Sequence, residues 1–271
     1  MKADIGIIGG SGFYEFLSDV ETVEVETPFG EPSAPVSIGR LDGRDVAFLP
    51  RHGRQHQFPP HRVNYRANLW ALRSVGVRQV VAPCAVGSLR PEFGPGTFVV
   101  PDQVIDRTWG RAHTVYDGVG PVVHAPFGDP YCPRGRAAVV AAADAETPLV
   151  DTGTLVVING PRFSSRAESQ WHAAAGGTVV GMTGVPESSI ARELAMCYTT
   201  ICMVTDHDAG VETGESVTHA DVLRVFADNI ERLKGLLRRV IAGLPDAEPD
   251  DSAVCSCRRA LDGFELPFEL P

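Results

Sequence analysis

The chain has no long hydrophobic run and no excess of positive charge. No apolar stretch approaches the ~18 residues needed to span a bilayer. The N-terminus has one lysine and then an apolar segment too short for a signal peptide, so we expect a cytoplasmic protein. Lysine and arginine total 24 against 34 acidic residues, giving a formal net charge of -10. This charge argues against binding nucleic acid or anionic membranes through the bulk field of the protein.

Three common nucleotide-binding and hydrolase motifs are also absent. The glycine-rich segment 9–12 follows an apolar run, but Glu15 stands where a dinucleotide-binding fingerprint requires glycine. A nucleophile elbow centred on Ser11 would need glycine at position 13, which is Phe13. No Gly-Lys-Ser/Thr P-loop occurs. The remaining small-residue turn can still present backbone N–H groups to an oxyanion.

The sequence gives little indication of a metal site. Three histidines have metal-ligand spacing, but an intervening glycine and two prolines prevent one helix from aligning His52, His56 and His61. The six cysteines are expected to be free thiols in a cytoplasmic protein. Only Cys255 and Cys257 form a close pair, and no second pair lies nearby in the sequence for zinc. We therefore expect no metal, and a Cys255–Cys257 disulfide stays open as an alternative.

The order of predicted elements favours one α/β domain over residues 1–245. Apolar strand-like and helix-like segments alternate up to about Ile241, and helices are predicted at 166–175, 186–194 and 218–243. Residues 246–271 are expected to be a linker and a C-terminal arm. The apolar tail 264–270 would be exposed on a lone subunit, so we expect the arm to pack on the same or a neighbouring subunit.

Five short apolar runs each stop at small, polar or charged residues. Buried strands have short apolar sequences of this kind, and in α/β enzymes the catalytic and binding residues lie where such strands end. If the ends meet, the site contains a glycine-rich loop, an arginine–histidine pair, a threonine and two acids. The runs and the segments that follow them are 5–8 before 9–12, 46–49 before 50–53, 80–82 before 83–88, 179–180 before 181–184, and 201–204 before 205–208.

These side chains suit one anion and one polar heterocycle. Arg51 offers a bidentate charge to phosphate, His52 a further donor, and Ser11 and Thr183 hydroxyl groups. At the end of the last strand, two acids are separated by one residue, so on an extended backbone they point the same way. Such a pair can accept a hydrogen bond from an exocyclic amine, and a protonated member can donate to a ring nitrogen. Phe163 can cover a flat ring, and the acids are Asp206 and Asp208.

Several longer motifs resemble 5′-methylthioadenosine phosphorylase, a member of the trimeric purine nucleoside phosphorylase family. They are IGIIGGSG at 5–12, RHGRQH at 51–56, VNYRAN at 63–68, GPRFSSRAE at 160–168 and GMTGVPE at 181–187. The resemblance extends to about residue 242. It implies a single domain with a central mixed, partly barrel-like sheet flanked by helices, assembled as a homotrimer. It also implies a pentosyltransferase of purine and methionine salvage that uses inorganic phosphate and no metal or organic cofactor.

The resemblance also implies specific residue roles. Phosphate would be bound by Ser11, Arg51, His52, Cys84, Ala85 and Thr183. The nucleoside would be bound by Phe163, Met182, Asp206, Asp208 and Val222. The two aspartates would be catalytic, Ser164 and His219 would set specificity, and His124 would come from a neighbouring subunit.

The expected reaction is phosphorolysis of the N-glycosidic bond. Phosphate attacks C1′ of an oxocarbenium-like sugar while the purine leaves from the other face. Departure is easier if N7 gains a proton, and Asp206 is the candidate donor provided that its pKa is raised. The products from 5′-methylthioadenosine would be adenine and a 5-substituted ribose 1-phosphate.

Three residues depart from the family pattern. Cys84 stands where the family usually has threonine, and Asn159 stands where an acid is expected. His219 replaces a small apolar residue near the methylthio group, whereas phosphorylases of ordinary nucleosides have histidine there. A phosphorylase of adenosine or other 5′-modified adenosines therefore remains an alternative. A nucleoside hydrolase or an inactive nucleoside-binding protein is the alternative of a different class.

Overall fold

A computed structural model describes residues 2–10, 16–209, 211, 218–246 and 255–271, with only the backbone described at positions 219 and 221. The strands are β1 Ile5–Gly9, β2 Ser18–Val23, β3 Val36–Leu41, β4 Arg44–Pro50, β5 Gln79–Ser88, β6 Phe98–Val99, β7 Gln103–Arg107, β8 Leu149–Val150, β9 Thr154–Ile158, β10 Val179–Gly181 and β11 Cys197–His207. The α-helices are α1 Tyr65–Ser74, α2 Pro133–Ala142, α3 Arg166–Ala174, α4 Glu187–Glu193 and α5 His219–Gly243. Within the described part of the chain, short 3₁₀ helices cover Pro60–Arg62 and Ser256–Arg259.

The strands form one mixed sheet, which confirms the predicted α/β class. Its main path runs β2-β3-β4-β1-β5-β10-β9-β7. Strand β5 organises the sheet because it pairs in parallel with both β1 and β11 and then antiparallel with β10 near its C-terminal end. The C-terminal ends of β4, β5 and β11 therefore open on the same region of the molecule.

The three predicted helices are confirmed as α3, α4 and α5. Helix α3 begins with a capping box, in which Ser165 accepts from the Glu168 N–H and Glu168 accepts from the Ser165 N–H. The C-terminal half of α5 buries one apolar face completely, at Leu233, Leu236, Leu237 and Val240. Among the residues the structure describes, no helix is long and apolar enough to cross a membrane.

The C-terminal segment 255–271 packs on the body of its own chain. The Phe268 ring stacks on Tyr116 with centroids 5.2 Å apart and meets Trp70 edge-on at 5.5 Å. These contacts attach the end of the chain to the core formed by α1, α4 and β11.

The C-terminal segment also completes a cluster of four cysteines. Cys132, Cys197, Cys255 and Cys257 are all buried as free thiols, and their Sγ atoms lie within 4.8 Å of one another. The second pair of cysteines that the sequence lacks near Cys255 and Cys257 is therefore supplied by the fold. The second pair comes from the start of α2 and the start of β11, which the fold brings next to the tail although they are distant in sequence.

Candidate active site

The strand ends surround a cavity of about 540 Å³ that brings most of the predicted site residues together. Its walls come from the ends of β4, β5, β10 and β11, from the segment after β9, and from the first turns of α5. The predicted residues that line it are Arg51, His52, Cys84, Ala85, Phe163, Ser164, Met182, Thr183, Asp206, Asp208 and Val222.

Three predicted residues stand apart from this wall. Ser11 lies outside the described residues, and so does the side chain of His219, whose backbone opens α5. His124 is exposed in the segment between β7 and α2 and is absent from the lining of this cavity.

Arg51 is held by a glutamate that the sequence reasoning missed. The Arg51 Nε donates to Glu187 Oε1 at 2.8 Å and Nη2 donates to Oε2 at 2.9 Å, with side chains only 3% and 0% exposed. Further Arg51 donors reach the carbonyls of Ile8 at 3.1 Å and Pro83 at 3.2 Å. Glu187 therefore occupies the Nε–Nη2 edge of Arg51, and only the remaining guanidinium surface is left for a phosphate.

Electrostatics keep Arg51 protonated. Burial disfavours the Arg51 guanidinium, but the attraction of Glu187 outweighs burial and the pKa of Arg51 is raised above its ordinary value. The Tyr198 hydroxyl also donates to Glu187 Oε2 at 2.7 Å. Glu187 thus accepts from both side chains and fixes Arg51 against the cavity. No spacing rule points to it, although it lies in the motif at 181–187.

His52 makes its hydrogen bond to the backbone of the loop that follows it. Its Nδ1 lies 2.8 Å from the Phe58 carbonyl oxygen, which can only accept, so Nδ1 carries the proton. Burial, reinforced by the nearby Arg51 charge, lowers the pKa of His52 to about 4. The ring is therefore neutral at neutral pH, and Nε2 is an acceptor. The neutral ring can accept a hydrogen bond from a phosphate P–OH group at Nε2.

Cys84 faces the neighbouring strand as well as the cavity. It is paired in the β5–β11 register with Cys202, and the two Sγ atoms are 3.7 Å apart. Its Sγ also lies 3.6 Å from Thr200 Oγ1. A larger, β-branched threonine at position 84 would have to pack against both Cys202 and Thr200. The smaller cysteine therefore suits its neighbours on β11.

The two aspartates meet around a glycine at the end of β5. Asp206 is paired with Gly87 after a register shift in β11. A Cβ atom added to Gly87 would lie 3.0 Å from Asp206 Oδ2 and 3.2 Å from Asp208 Cβ. Glycine therefore provides the room in which both carboxylates reach the cavity. Two hydroxyl groups orient them, with Thr205 Oγ1 donating to Asp206 Oδ1 at 2.7 Å and Ser169 Oγ donating to Asp208 Oδ2 at 2.5 Å.

Asn159 belongs to the support behind the cavity. Its Oδ1 accepts from Arg111 Nε at 3.3 Å, and its carbonyl accepts from Arg111 Nη2 at 2.9 Å. The same guanidinium donates to the carbonyls of Met182 at 2.9 Å and Val185 at 2.7 Å. Arg111 thus joins the segments that follow β9 and β10. Asn159 meets it through a neutral amide where an acid would form an ion pair.

Ser164 offers a hydroxyl group to the cavity. Its side chain is buried, and its Oγ has no hydrogen-bond partner among the residues that the structure describes. A buried hydroxyl without a partner is costly, so a ligand with a complementary polar group would gain by meeting it. Phe163 and Met182, the residue after β10, line the same cavity.

Comparison with protein families and curated proteins identifies relatives over the whole chain. Residues 4–242 match the Phosphorylase superfamily. The chain is 58% identical over 279 residues to a purine nucleoside phosphorylase of Streptomyces coelicolor, covering 100% of this chain and 99% of the relative. It is 56% identical to an S-methyl-5′-thioadenosine phosphorylase of Mycobacterium tuberculosis, covering 98% and 97%.

Solved structures agree with these sequence relatives. A methylthioadenosine phosphorylase sourced from an antarctic soil metagenomic library superposes with a TM-score of 0.88 at 37% identity, over 99% of this chain and 94% of that one. A methylthioadenosine phosphorylase from Schistosoma mansoni in complex with adenine gives a TM-score of 0.84 at 38% identity, covering 90% and 93%.

Proposed function

Because the chain belongs to the Phosphorylase superfamily, we propose that it cleaves the N-glycosidic bond of 5′-methylthioadenosine with inorganic phosphate. The products are adenine and 5-methylthioribose 1-phosphate, as expected for a pentosyltransferase. The observation that carries the proposal is one cavity lined by a fixed arginine, a threonine and two aspartates. The reaction needs no metal or organic cofactor, since phosphate is itself the nucleophile.

Phosphate binds at the side formed by the ends of β4, β5 and β10. Arg51, held by Glu187, presents its remaining guanidinium surface, and Thr183 adds a hydroxyl group. The backbone at Cys84 and Ala85 adds further contacts, whereas the predicted phosphate ligand Ser11 lies outside the described residues. Fixed charges stabilise developing charge well because they need no reorganisation during the reaction.

The purine binds at the side formed by Asp206 and Asp208. A protonated Asp206 donates to N7, which makes the base a better leaving group as the sugar gains oxocarbenium character. Asp208, held by Ser169, accepts from the 6-amino group. The Ser164 hydroxyl supplies one more contact to the base or sugar, and Phe163 and Met182 cover their apolar faces.

The 5′ substituent extends toward α5. Val222, Leu223 and Phe226 line the cavity there, and Leu223 is 52% exposed until a ligand covers it. An apolar methylthio group suits this wall. His219 opens the same helix, which supports a second candidate function, the phosphorolysis of adenosine and other 5′-modified adenosines. The purine nucleoside phosphorylase relative is consistent with this second function.

We further propose a homotrimer that acts in the cytoplasm. The segment between β7 and α2 exposes three large apolar side chains, Trp109, Val119 and Val122, at 75%, 109% and 71%. His124 lies in this segment and is exposed in the single chain. A neighbouring subunit would cover the apolar side chains and receive His124 at its own cavity.

A base-release assay tests the proposed function. Methylthioadenosine, adenosine and inosine are each incubated with the enzyme at fixed phosphate and in phosphate-free buffer, and the base and the sugar phosphate are quantified. We expect release of adenine and a sugar 1-phosphate in equal amounts only when phosphate is present. Full release of adenine with free sugar in phosphate-free buffer would identify a hydrolase, and no release from any substrate would indicate a binding protein.

A further inference from the structure

The four-cysteine cluster lies outside the proposed active site and has no part in its chemistry. Cys132 is the residue before α2, Cys197 is the first residue of β11, and Cys255 and Cys257 flank the start of the C-terminal 3₁₀ helix. Cys255 Sγ lies 3.5 Å from Cys132 Sγ and 3.3 Å from Cys197 Sγ. All four sulfur atoms lie within 4.8 Å of one another.

This arrangement fits four ligands around a common centre. Zinc bound by thiolates has Zn–S distances of ~2.3 Å, which places the sulfur atoms of a regular tetrahedron about 3.8 Å apart. The two Sγ–Sγ distances from Cys255 are close to that spacing and well above the ~2.05 Å of a disulfide bond. Cys255 is equally near to cysteines of two different segments, so the cluster is not divided into two separate pairs.

We propose that Cys132, Cys197, Cys255 and Cys257 bind one structural zinc ion. Binding forms four Zn–S bonds and releases the thiol protons to solvent. The donor set is four thiolates with no water position, which is typical of a structural site rather than a catalytic one.

The surroundings of the cluster favour the negative charge of four thiolates on one zinc ion. Arg192 Nη2 lies 3.6 Å from Cys257 Sγ, where it can donate to the ligand sulfur. Arg192 also donates from Nη1 to the Pro126 carbonyl at 3.0 Å and from Nη2 to the Asp129 carbonyl at 2.6 Å, and these bonds fix the guanidinium in place. Cys132 precedes the N-terminus of α2, whose dipole favours a thiolate.

The zinc ion would join the C-terminal segment to the body of the protein. Two ligands come from the tail, and the other two come from α2 and β11, 123 and 58 residues from Cys255. Fixing Cys255 and Cys257 also positions the chain that leads to Phe268, which packs on Trp70 and Tyr116. A site that binds only the folded chain stabilises the fold by its binding free energy.

The full-length protein, produced with zinc supply and purified with reductant but without chelator, provides the test. We expect elemental analysis to find about one zinc per chain. Cys255→Ser should reduce this to below about one tenth, whereas Cys202→Ala should retain about one zinc per chain. Cys202 is the matched control because it is equally buried on β11 and lies outside the cluster.

A second measurement uses the wild-type protein alone, so that it holds even if the variant fails to fold. Chelator treatment should accelerate tryptic cleavage after Arg258 or Arg259 about tenfold or more, because the tail is released. Re-addition of zinc should restore protection. Two results would overturn the proposal. One is wild-type protein that contains less than about a tenth of a zinc ion per chain. The other is that, under denaturing conditions, the four cysteines resist alkylation because they are joined in disulfide bonds.

Discussion

Arg51 and Glu187 form a bidentate ion pair that is almost fully buried beside the cavity, with N–O distances of 2.8 and 2.9 Å. Removing one partner of such a pair leaves an uncompensated charge, which typically costs about 3–5 kcal/mol. The pair also determines which surface of the guanidinium remains for phosphate. Glu187 therefore acts on phosphate binding through Arg51, although it is not itself expected to touch the substrate.

We expect Glu187→Gln to lower the free energy of unfolding by about 3–5 kcal/mol and to raise the KM for phosphate. Chemical denaturation and phosphate titration measure the two effects. Glu168→Gln is the control, since its ion pair with Arg162 is exposed and such pairs contribute about 0–1 kcal/mol. Equal stability losses in the two variants would contradict the special role of the buried pair.

The pKa of His52 predicts a dependence of stability on pH. Its pKa is lowered from 6.5 in the unfolded chain to about 4 in the fold, so the folded state binds fewer protons between these values. Stability is therefore lost as pH falls from 6.5 toward 4. Unfolding measurements in phosphate-free buffer should show this slope, and His52→Gln should reduce it. An identical slope in the variant would show that other groups produce the whole effect.

Gly87 is predicted to be required for the placement of the two acids. Gly87→Ala would put a Cβ atom 3.0 Å from Asp206 Oδ2, and the carboxylate would have to shift. Small misplacements of reacting groups are costly, so kcat/KM for the nucleoside should fall about 10- to 100-fold. Gly243→Ala is the control, because nothing lies within 4 Å of a Cβ there and alanine suits the end of α5. Equal activity in the two variants would refute this role.

The fold and the cavity were largely predictable because both depend on local patterns. Short apolar runs predicted the buried strands β1, β4, β5, β10 and β11, and their ends supplied most of the cavity wall. The predicted helices agree with α3, α4 and α5 to within one or two residues. Resemblance to a known family then supplied roles that residue types alone cannot assign.

The missed features are contacts between residues distant in sequence. Glu187 meets Arg51 across 136 positions, and Cys255 meets Cys132 across 123. No helix or strand periodicity and no short sequence motif connects residues this far apart in the chain. Gly87 was missed for another reason, since the need for glycine comes from side chains on a neighbouring strand. The His52 tautomer likewise depends on the position of the Phe58 carbonyl in the folded chain.

The aspartates predict a preference for 6-amino over 6-oxo purines. Asp208 can accept a hydrogen bond from a 6-amino group. A carboxylate facing a 6-carbonyl would instead place two acceptors opposite each other, and buried mismatches are costly. Asp206→Asn should lower kcat for 6-aminopurine nucleosides about 10²- to 10⁴-fold, because a general acid is lost. It should also shift the kcat/KM ratio toward inosine. A wild-type enzyme that cleaves inosine as well as adenosine would contradict this assignment.

His219 provides the last prediction, on the 5′ specificity of the cavity. It is the first residue of α5, and residues three and four apart share a helix face, so its backbone position shares a face with the cavity-lining residues Val222 and Leu223. The two aliphatic residues favour a methylthio group, and an imidazole there adds a hydrogen bond for a 5′-hydroxyl. We therefore expect measurable cleavage of adenosine beside methylthioadenosine. Such a hydrogen bond contributes roughly 0.5–1.5 kcal/mol, so His219→Val should lower kcat/KM for adenosine about 2- to 10-fold and leave that for methylthioadenosine unchanged or higher. Equal losses on both substrates, or no loss on either, would show that His219 does not recognise the 5′ position.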